Sequence, residues 1–185
     1  MNNNQTIVDI LKGDVIIYCD GACSNNPGEA GSGISIYSSN NIEPILLYGN
    51  YIKEGTNNIA ELNALYNSLL ICSSLIKEGN FKTINIYSDS RYSIDCIVSW
   101  AYTWKSKGWI KKGGIIKNLE LIKLAHNLYD DIKSYININH VKAHNGNEGN
   151  ELADRMAVNC IKIKNIEYKT YKYNNIKDVL KLTSY

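Results

Sequence analysis

The sequence predicts an α/β domain, a mixed five-stranded sheet with helices on both faces. Three features predict it. Three strand-like segments follow one another with short links near the start of the chain. From Asn58 the hydrophobic period changes from that of a strand to that of a helix. Strands and helices then alternate. Short links imply an antiparallel meander, whereas strands separated by helices imply parallel pairings joined by right-handed crossovers.

The first strand is Val15–Asp20, a near-continuous apolar run closed by a carboxylate. Such a run suits a central strand covered on both faces. Residues 21–31 form a turn rich in Gly, Asn and Ser with Pro27. Gly33–Tyr37 alternates apolar and polar, as a half-buried strand does. Asn40 and Asn41 turn the chain, and Ile45–Ile52 reads as the third strand. Ile59, Leu62, Leu65, Tyr66, Leu69 and Leu70 share one helical face, which predicts a helix from Asn58 to about Lys77, stopped by Gly79 and Asn80. Thr83–Ser88 is the fourth strand, followed by a helix near Ser90–Trp100. Asn118–Ile132 is a further amphipathic helix, Tyr135–Val141 the fifth strand, and Asn150–Ile163 the last helix. Residues 165–185 are rich in Tyr and Lys and weakly patterned, and read as an appended tail. Residues 1–13 read as a short N-terminal extension, which leaves 14–164 as the folded domain.

The chain has 185 residues, 44% of them hydrophobic and 21% charged. These values exclude wholesale disorder and collagen-like or coiled-coil chains. The net charge of +2 does not by itself announce a nucleic-acid binder. No stretch approaches the ~18 consecutive apolar residues that read as a membrane span. The start of the chain has neither the basic opening and apolar run of a signal peptide nor the Arg of a transit peptide. The five cysteines form no CxxC pair, so reduced thiols in a cytoplasmic protein are expected, with the nucleus left open. Three histidines and scattered cysteines do not make a zinc site.

Four acids fall at element boundaries. Asp20 closes the first strand and Asp89 follows the fourth, while Glu61 and Asp154 lie in early turns of helices. Sites in open α/β sheets collect at the carboxyl ends of strands. Four carboxylates brought together repel strongly unless cations neutralise them, and hard oxygen donors suit Mg²⁺ or Mn²⁺. Two such ions ~4 Å apart can activate a water and stabilise the leaving oxygen of a phosphodiester. Each acid also has a plainer reading. Glu61 can close a capping box with Asn58, Asp154 can be a surface helix carboxylate, and Asp20 and Asp89 can be turn residues.

Five segments decide between these readings. They are Asp20-Gly-Ala-Cys-Ser-Asn-Asn-Pro-Gly28, Thr56-Asn-Asn-Ile-Ala-Glu-Leu62, Tyr87-Ser-Asp-Ser90, Trp100-Ala-Tyr-Thr-Trp-Lys-Ser-Lys-Gly-Trp109 and Val141-Lys-Ala-His-Asn-Gly-Asn-Glu-Gly-Asn-Glu-Leu-Ala-Asp154. In order and spacing they resemble type 1 ribonuclease H over roughly residues 14–163. The resemblance implies the ribonuclease H-like fold, with strand order 3-2-1-4-5. It implies hydrolysis of the RNA strand of an RNA–DNA hybrid to give 5′-phosphate and 3′-hydroxyl ends. The metal-binding acids of the family fall on Asp20, Glu61, Asp89 and Asp154, and its mobile-loop histidine falls on His144. That histidine is associated with proton transfer or product departure, roles open to a group that titrates near neutrality.

Residues 100–117 hold all three Trp together with Lys105, Lys107, Lys111, Lys112 and Lys117, and no acid, so the rest of the chain is net acidic. Gly108, Gly113 and Gly114 mark an excursion from the fold. Interleaved Trp and Lys suit a phosphate backbone and sugar faces; the plainer reading is Trp in the core and Lys on a solvated face. By resemblance this is the basic handle that grips the DNA strand, with Tyr92, Trp100 and Trp104 near the deoxyribose channel. Also by resemblance, Cys23, Asn25, Asn26, Asn57, Asn58 and Arg91 lie along the shallow groove where 2′-hydroxyls are sensed. The family holds an Arg two residues before the Thr of its Thr-Asn-Asn motif, in a phosphate pocket with that Thr and a downstream Asn. Here Thr56 and Asn118 are present, but Glu54 stands at the Arg position, beside Lys53. Two other readings stay open: a DNA-cutting relative of the same fold, such as a resolvase or transposase, and a non-catalytic module that binds hybrid. A monomer is expected.

Overall fold

A computed structural model describes residues 3–79, 81–143 and 145–184, with side chains from residue 7 onward. His144 lies outside the described residues. Six strands form one sheet: β1 (Gly13–Cys23), β2 (Gly28–Ser38), β3 (Ile45–Gly55), β4 (Phe81–Ser88), β5 (Ile136–His140) and β6 (Lys169–Thr170), in the order β5-β4-β1-β2-β3-β6. The expected order 3-2-1-4-5 is present, and the sixth strand corrects the expected count of five. β1, β2 and β3 form the antiparallel meander, whereas β4 and β5 run parallel to β1.

The helices are α1 (Asn3–Ile10), α2 (Asn57–Glu78), α3 (Arg91–Asp95), α4 (Ala101–Ser106), α5 (Leu119–Ile132), α6 (Glu148–Ile163) and α7 (Ile176–Leu180). A π-helical turn, Cys96–Trp100, joins α3 to α4. α2 begins where the Thr56 side chain caps the N–H of Ile59 and ends at Gly79, whose left-handed φ of 71° closes the helix. It is the helix among the described residues that is long and apolar enough to cross a membrane. In this fold Ala60, Leu62, Leu65 and Leu69 are fully buried, and the helix packs against β1. Val15, Ile17, Ile34, Ile36, Ile84 and Ile86 supply the sheet's share of that core. α6 covers the other face, over β1, β2 and β3.

The described segments flanking the central domain on both sides join the packed structure. Ile7, Val8 and Leu11 of the N-terminal segment are buried in the main core. At the other end, β6 pairs with the edge strand β3, and the Tyr171 N–H donates to the Leu46 carbonyl at 2.8 Å. Val179 on α7 closes a second cluster with Leu46, Leu152 and Met156, flanked by Tyr171, Tyr173 and Leu182. This segment covers a sheet edge that would otherwise present unpaired backbone groups.

Candidate active site

The parallel register pairs Tyr18 with Tyr87 and Cys19 with Ser88. The next residues of the two chains, Asp20 and Asp89, therefore emerge side by side at the carboxyl end of the sheet. Two close approaches bring helices to them. A Cβ on Gly21 would meet the Glu61 backbone nitrogen at 2.2 Å, so only glycine lets the start of α2 lie against β1 and present Glu61. A Cβ on Gly33 would meet the Ala153 carbonyl at 2.0 Å, so glycine again lets α6 settle on β2 with Asp154 facing the same end of the sheet.

The result is a cavity of about 310 Å³ lined by Asp20, Glu61, Asp89 and Asp154, with Gly21, Ala22, Cys23, Asn57 and Ala143. Asp20, Glu61 and Asp89 each offer a carboxylate oxygen within 4.8 Å of the others. Asp154 belongs to the same cavity but pairs with the Arg155 guanidinium, which also holds Glu151 at 3.3 Å. Burial, reinforced by Asp89, Asp154 and Glu61, pushes the Asp20 carboxyl well above the usual carboxylate range, although the Gly21 N–H donates to it at 2.7 Å. Burial likewise raises Glu61 to about 7, with Asp89 adding repulsion and hydrogen bonds from Ser90 and Asn57 opposing it. Neighbouring donors set the carboxylate orientations. Asn57 Nδ2 donates to Glu61 Oε1 at 2.7 Å, the Ser90 hydroxyl donates to Glu61 Oε2, and Asn150 Nδ2 donates to Asp89 Oδ2 at 2.9 Å.

These residues suit a hard divalent cation. The donors are all carboxylate oxygens, they converge, and their mutual repulsion is what a cation would relieve. Glu61 does not close a capping box with Asn58, because the cap is Thr56 and the Glu61 carboxylate turns inward to Asn57 and Ser90.

The remaining expected site residues divide into two groups. Cys23 lines the acidic cavity, its thiol 3.6 Å from the Gly55 carbonyl. Asn25 takes a left-handed φ of 59° in the β1–β2 turn, and Asn26 accepts the Asn57 N–H at 3.1 Å. Asn26, Thr56, Asn58 and Asn118 line a second cavity of about 500 Å³, together with Pro27 and Lys117. Neither Lys53 nor Glu54 is among the residues lining it, and both are exposed. Among the described residues Lys117 is thus the cation that lines this pocket, a residue that reading the motif in register did not single out.

Arg91 is exposed at the start of α3. Tyr92 meets Trp100 edge-on at 6.3 Å, and Trp100 lies 5.8 Å from Trp104. Trp100 is 42% exposed. Lys105, Lys107, Lys111 and Lys112 are exposed around the turn that follows, which is closed by a bridge between Lys111 and Gly114. Asn150, like Lys117, is a site residue that the sequence reading did not single out. It is one of many Asn in the chain, and no spacing rule sets it apart.

The RNase H family profile matches residues 12–162. The ribonuclease H of Wolbachia pipientis wMel is 37% identical over 158 residues, 81% of this chain and 97% of the relative. That of Orientia tsutsugamushi is 34% identical over 146 residues, 78% of this chain and 80% of the relative. Among solved structures, LC9-RNase H1, a type 1 RNase H with the type 2 active-site motif, aligns with a TM-score of 0.72 at 21% identity, covering 92% of this chain and 82% of its own. LC11-RNase H1 in complex with an RNA/DNA hybrid aligns with a TM-score of 0.55 at 22% identity, covering 81% and 98%.

Proposed function

The chain belongs to the ribonuclease H family, and from that membership we propose that it hydrolyses the RNA strand of RNA–DNA hybrids with a pair of Mg²⁺ ions, for which Mn²⁺ can substitute. The observation that carries the reading is the convergence of the Asp20, Glu61 and Asp89 carboxylates within 4.8 Å, in a cavity that Asp154 completes. In the reaction a water attacks phosphorus, the bond to the 3′ oxygen breaks, and the products carry 5′-phosphate and 3′-hydroxyl ends.

Asp20, Glu61, Asp89 and Asp154 would hold the ions, which when bound supply a Lewis acid and a water of lowered pKa. The rest falls to the chain's own side chains. Asn57 and Ser90 fix the Glu61 carboxylate, and Asn150 fixes that of Asp89. Cys23, Asn25, Asn26, Asn57, Asn58 and Arg91 face the RNA strand, where 2′-hydroxyls distinguish RNA from DNA. Thr56, Asn118 and Lys117 hold a DNA phosphate. Tyr92, Trp100 and Trp104 meet the deoxyribose faces, and Lys105, Lys107, Lys111 and Lys112 neutralise the DNA backbone. His144 assists proton transfer or product departure. The protein acts as a cytoplasmic monomer away from membranes, a setting in keeping with five free cysteines, four of them buried.

The test is cleavage of sequence-matched RNA–DNA hybrid, duplex RNA and duplex DNA, each with and without Mg²⁺. Metal-dependent cutting of the RNA strand in the hybrid alone is expected. Cutting of duplex DNA would support the resolvase-like reading, and binding of hybrid without cleavage the non-catalytic one.

A further inference from the structure

His126 sits on α5 with no solvent exposure and belongs to none of the segments that define the family likeness. Its Nδ1 lies 2.8 Å from the carbonyl oxygen of Ile97. A carbonyl only accepts, so Nδ1 carries the proton. Its Nε2 is buried without a hydrogen-bond partner among the described residues. The ring meets Tyr102 edge-on at 4.5 Å and Trp109 at 6.2 Å. The aromatic surroundings give the ring one polar anchor, and that anchor is Ile97.

Ile97 lies within the π-turn Cys96–Trp100, where the Ala101 N–H donates to the Cys96 carbonyl five residues back. A π-turn inserts one extra residue into a helical path and is held only where something stabilises it. The insertion has a geometric consequence. Each residue advances an α-helix by about 100°, so removing the extra residue would swing everything after the turn by that angle. Trp104 and Lys105 lie just after it, and Trp100 is its last residue. A second tie holds α4 in the orientation that the π-turn sets: Tyr102 donates to Asp130 at 2.8 Å, and Lys133 donates to the Tyr102 hydroxyl at 2.9 Å.

We infer that His126 is a positioning residue for hybrid binding: its Nδ1–H to the Ile97 carbonyl fixes the π-turn and so aims Trp100, Trp104 and Lys105 at the DNA strand. This rests on the proposed reading of residues 100–117 as a nucleic-acid handle. His126 acts only through Ile97 and takes no part in the reaction.

The test compares His126→Asn, His126→Gln and His126→Leu with the wild type. Asn places an amide N–H where Nδ1 stands, whereas Gln places it where Nε2 stands, out of reach of Ile97. The expected result is that Leu and Gln raise KM for hybrid roughly tenfold, equivalent to about 1.4 kcal/mol, with kcat at saturation unchanged, and that Asn restores KM to within about threefold of wild type. Should His126→Leu fail to fold, the Asn and Gln pair decides the matter, since both keep a polar side chain. Equal KM for Asn and Gln would overturn the inference, as would a kcat loss without a KM change. A joint Lys105, Lys107, Lys111 and Lys112→Ala variant separates the two readings. If it binds as wild type, the handle reading falls; if it binds weakly while Gln binds normally, only the role of His126 falls.

Discussion

Asn150 donates through Nδ2 to Asp89 Oδ2 at 2.9 Å, tying the first turn of α6 to the end of β4. The amide is itself placed by the helix start, because the Asn150 N–H donates to Oδ1 of the capping residue Asn147 at 3.2 Å. The helix that delivers Asp154 therefore also sets the orientation of Asp89. Asn150→Ala would free the Asp89 carboxylate to rotate, and the loss expected is roughly 10–100-fold in metal affinity or activity, the range for partners that orient ligands. Calorimetric Mg²⁺ titration and steady-state cleavage read it directly. Wild-type values for both would show that Asp89 holds its orientation without the amide.

Asp20→Asn and Asp89→Asn should each lower cleavage by at least about 100-fold, as when a principal charge-stabilising group is removed. Affinity for hybrid should survive, because it arises largely from phosphate contacts elsewhere. A variant retaining a tenth or more of wild-type activity would not have lost a metal ligand.

Glu61 ties metal binding to stability. Its carboxyl is raised from 4.5 to about 7, chiefly by burial. Between those values the folded protein holds a proton that the unfolded chain has released. Stability is therefore full below pH 4.5 and falls as pH rises through about 7. Asp20 is shifted in the same direction. A divalent cation binds the ionised cluster and reverses the loss, so the rise in Tm on adding Mg²⁺ should be large at pH 8 and small at pH 5. An equal rise at both would place the bound ion elsewhere.

The sequence made the frame and the acids legible for a physical reason. Asp20 ends an apolar run, and Asp89 follows the strand-like segment Thr83–Ser88, so both strand ends could be read from the residue pattern. The limits of that reading are equally physical. β6 is two residues long, Lys169–Thr170, too short for any alternation to show. α7 has five residues, of which Val179 is buried and Ile176 and Leu180 are half-buried, a pattern too short to stand out in a Tyr- and Lys-rich segment. The π-turn at Cys96–Trp100 leaves no mark in hydrophobic spacing. Glu61 fitted a capping box by spacing, and only the inward turn of its carboxylate separates the two roles.

Lys105, Lys107, Lys111 and Lys112 are all exposed on one excursion. Joint replacement by Ala should weaken hybrid binding and flatten its dependence on salt. Each lost phosphate contact should reduce the log–log slope by up to about 0.9, the figure for B-DNA. Binding isotherms at several salt concentrations, in Ca²⁺ to prevent turnover, give the slope. An unchanged slope would mean that these lysines form only a solvated face.

The pocket of Thr56 and Asn118 supplies the last prediction. At the position where the family holds the pocket's Arg, this chain has Glu54, beside Lys53. Both side chains are exposed and neither lines the cavity, whereas Lys117 does, beside Asn118, Thr56 and Asn26. An ammonium at the rim of a pocket rich in amides and a hydroxyl can hold a phosphate by charge-assisted hydrogen bonds. Lys117→Ala should therefore weaken hybrid affinity by about 1.5–3 kcal/mol, the range for a hydrogen bond to a charged group. Lys53→Ala and Glu54→Arg should change it little, because neither side chain lines the cavity. Turnover at saturating hybrid should hold in all three variants, since the second cavity is lined by none of the four metal-site acids. The measurement is affinity for hybrid in Ca²⁺. A loss with Lys53→Ala and none with Lys117→Ala would return the role to Lys53. A clear gain with Glu54→Arg would show that an arginine there reaches the phosphate from outside the lining, and that the exposed position of Glu54 does not describe the bound state.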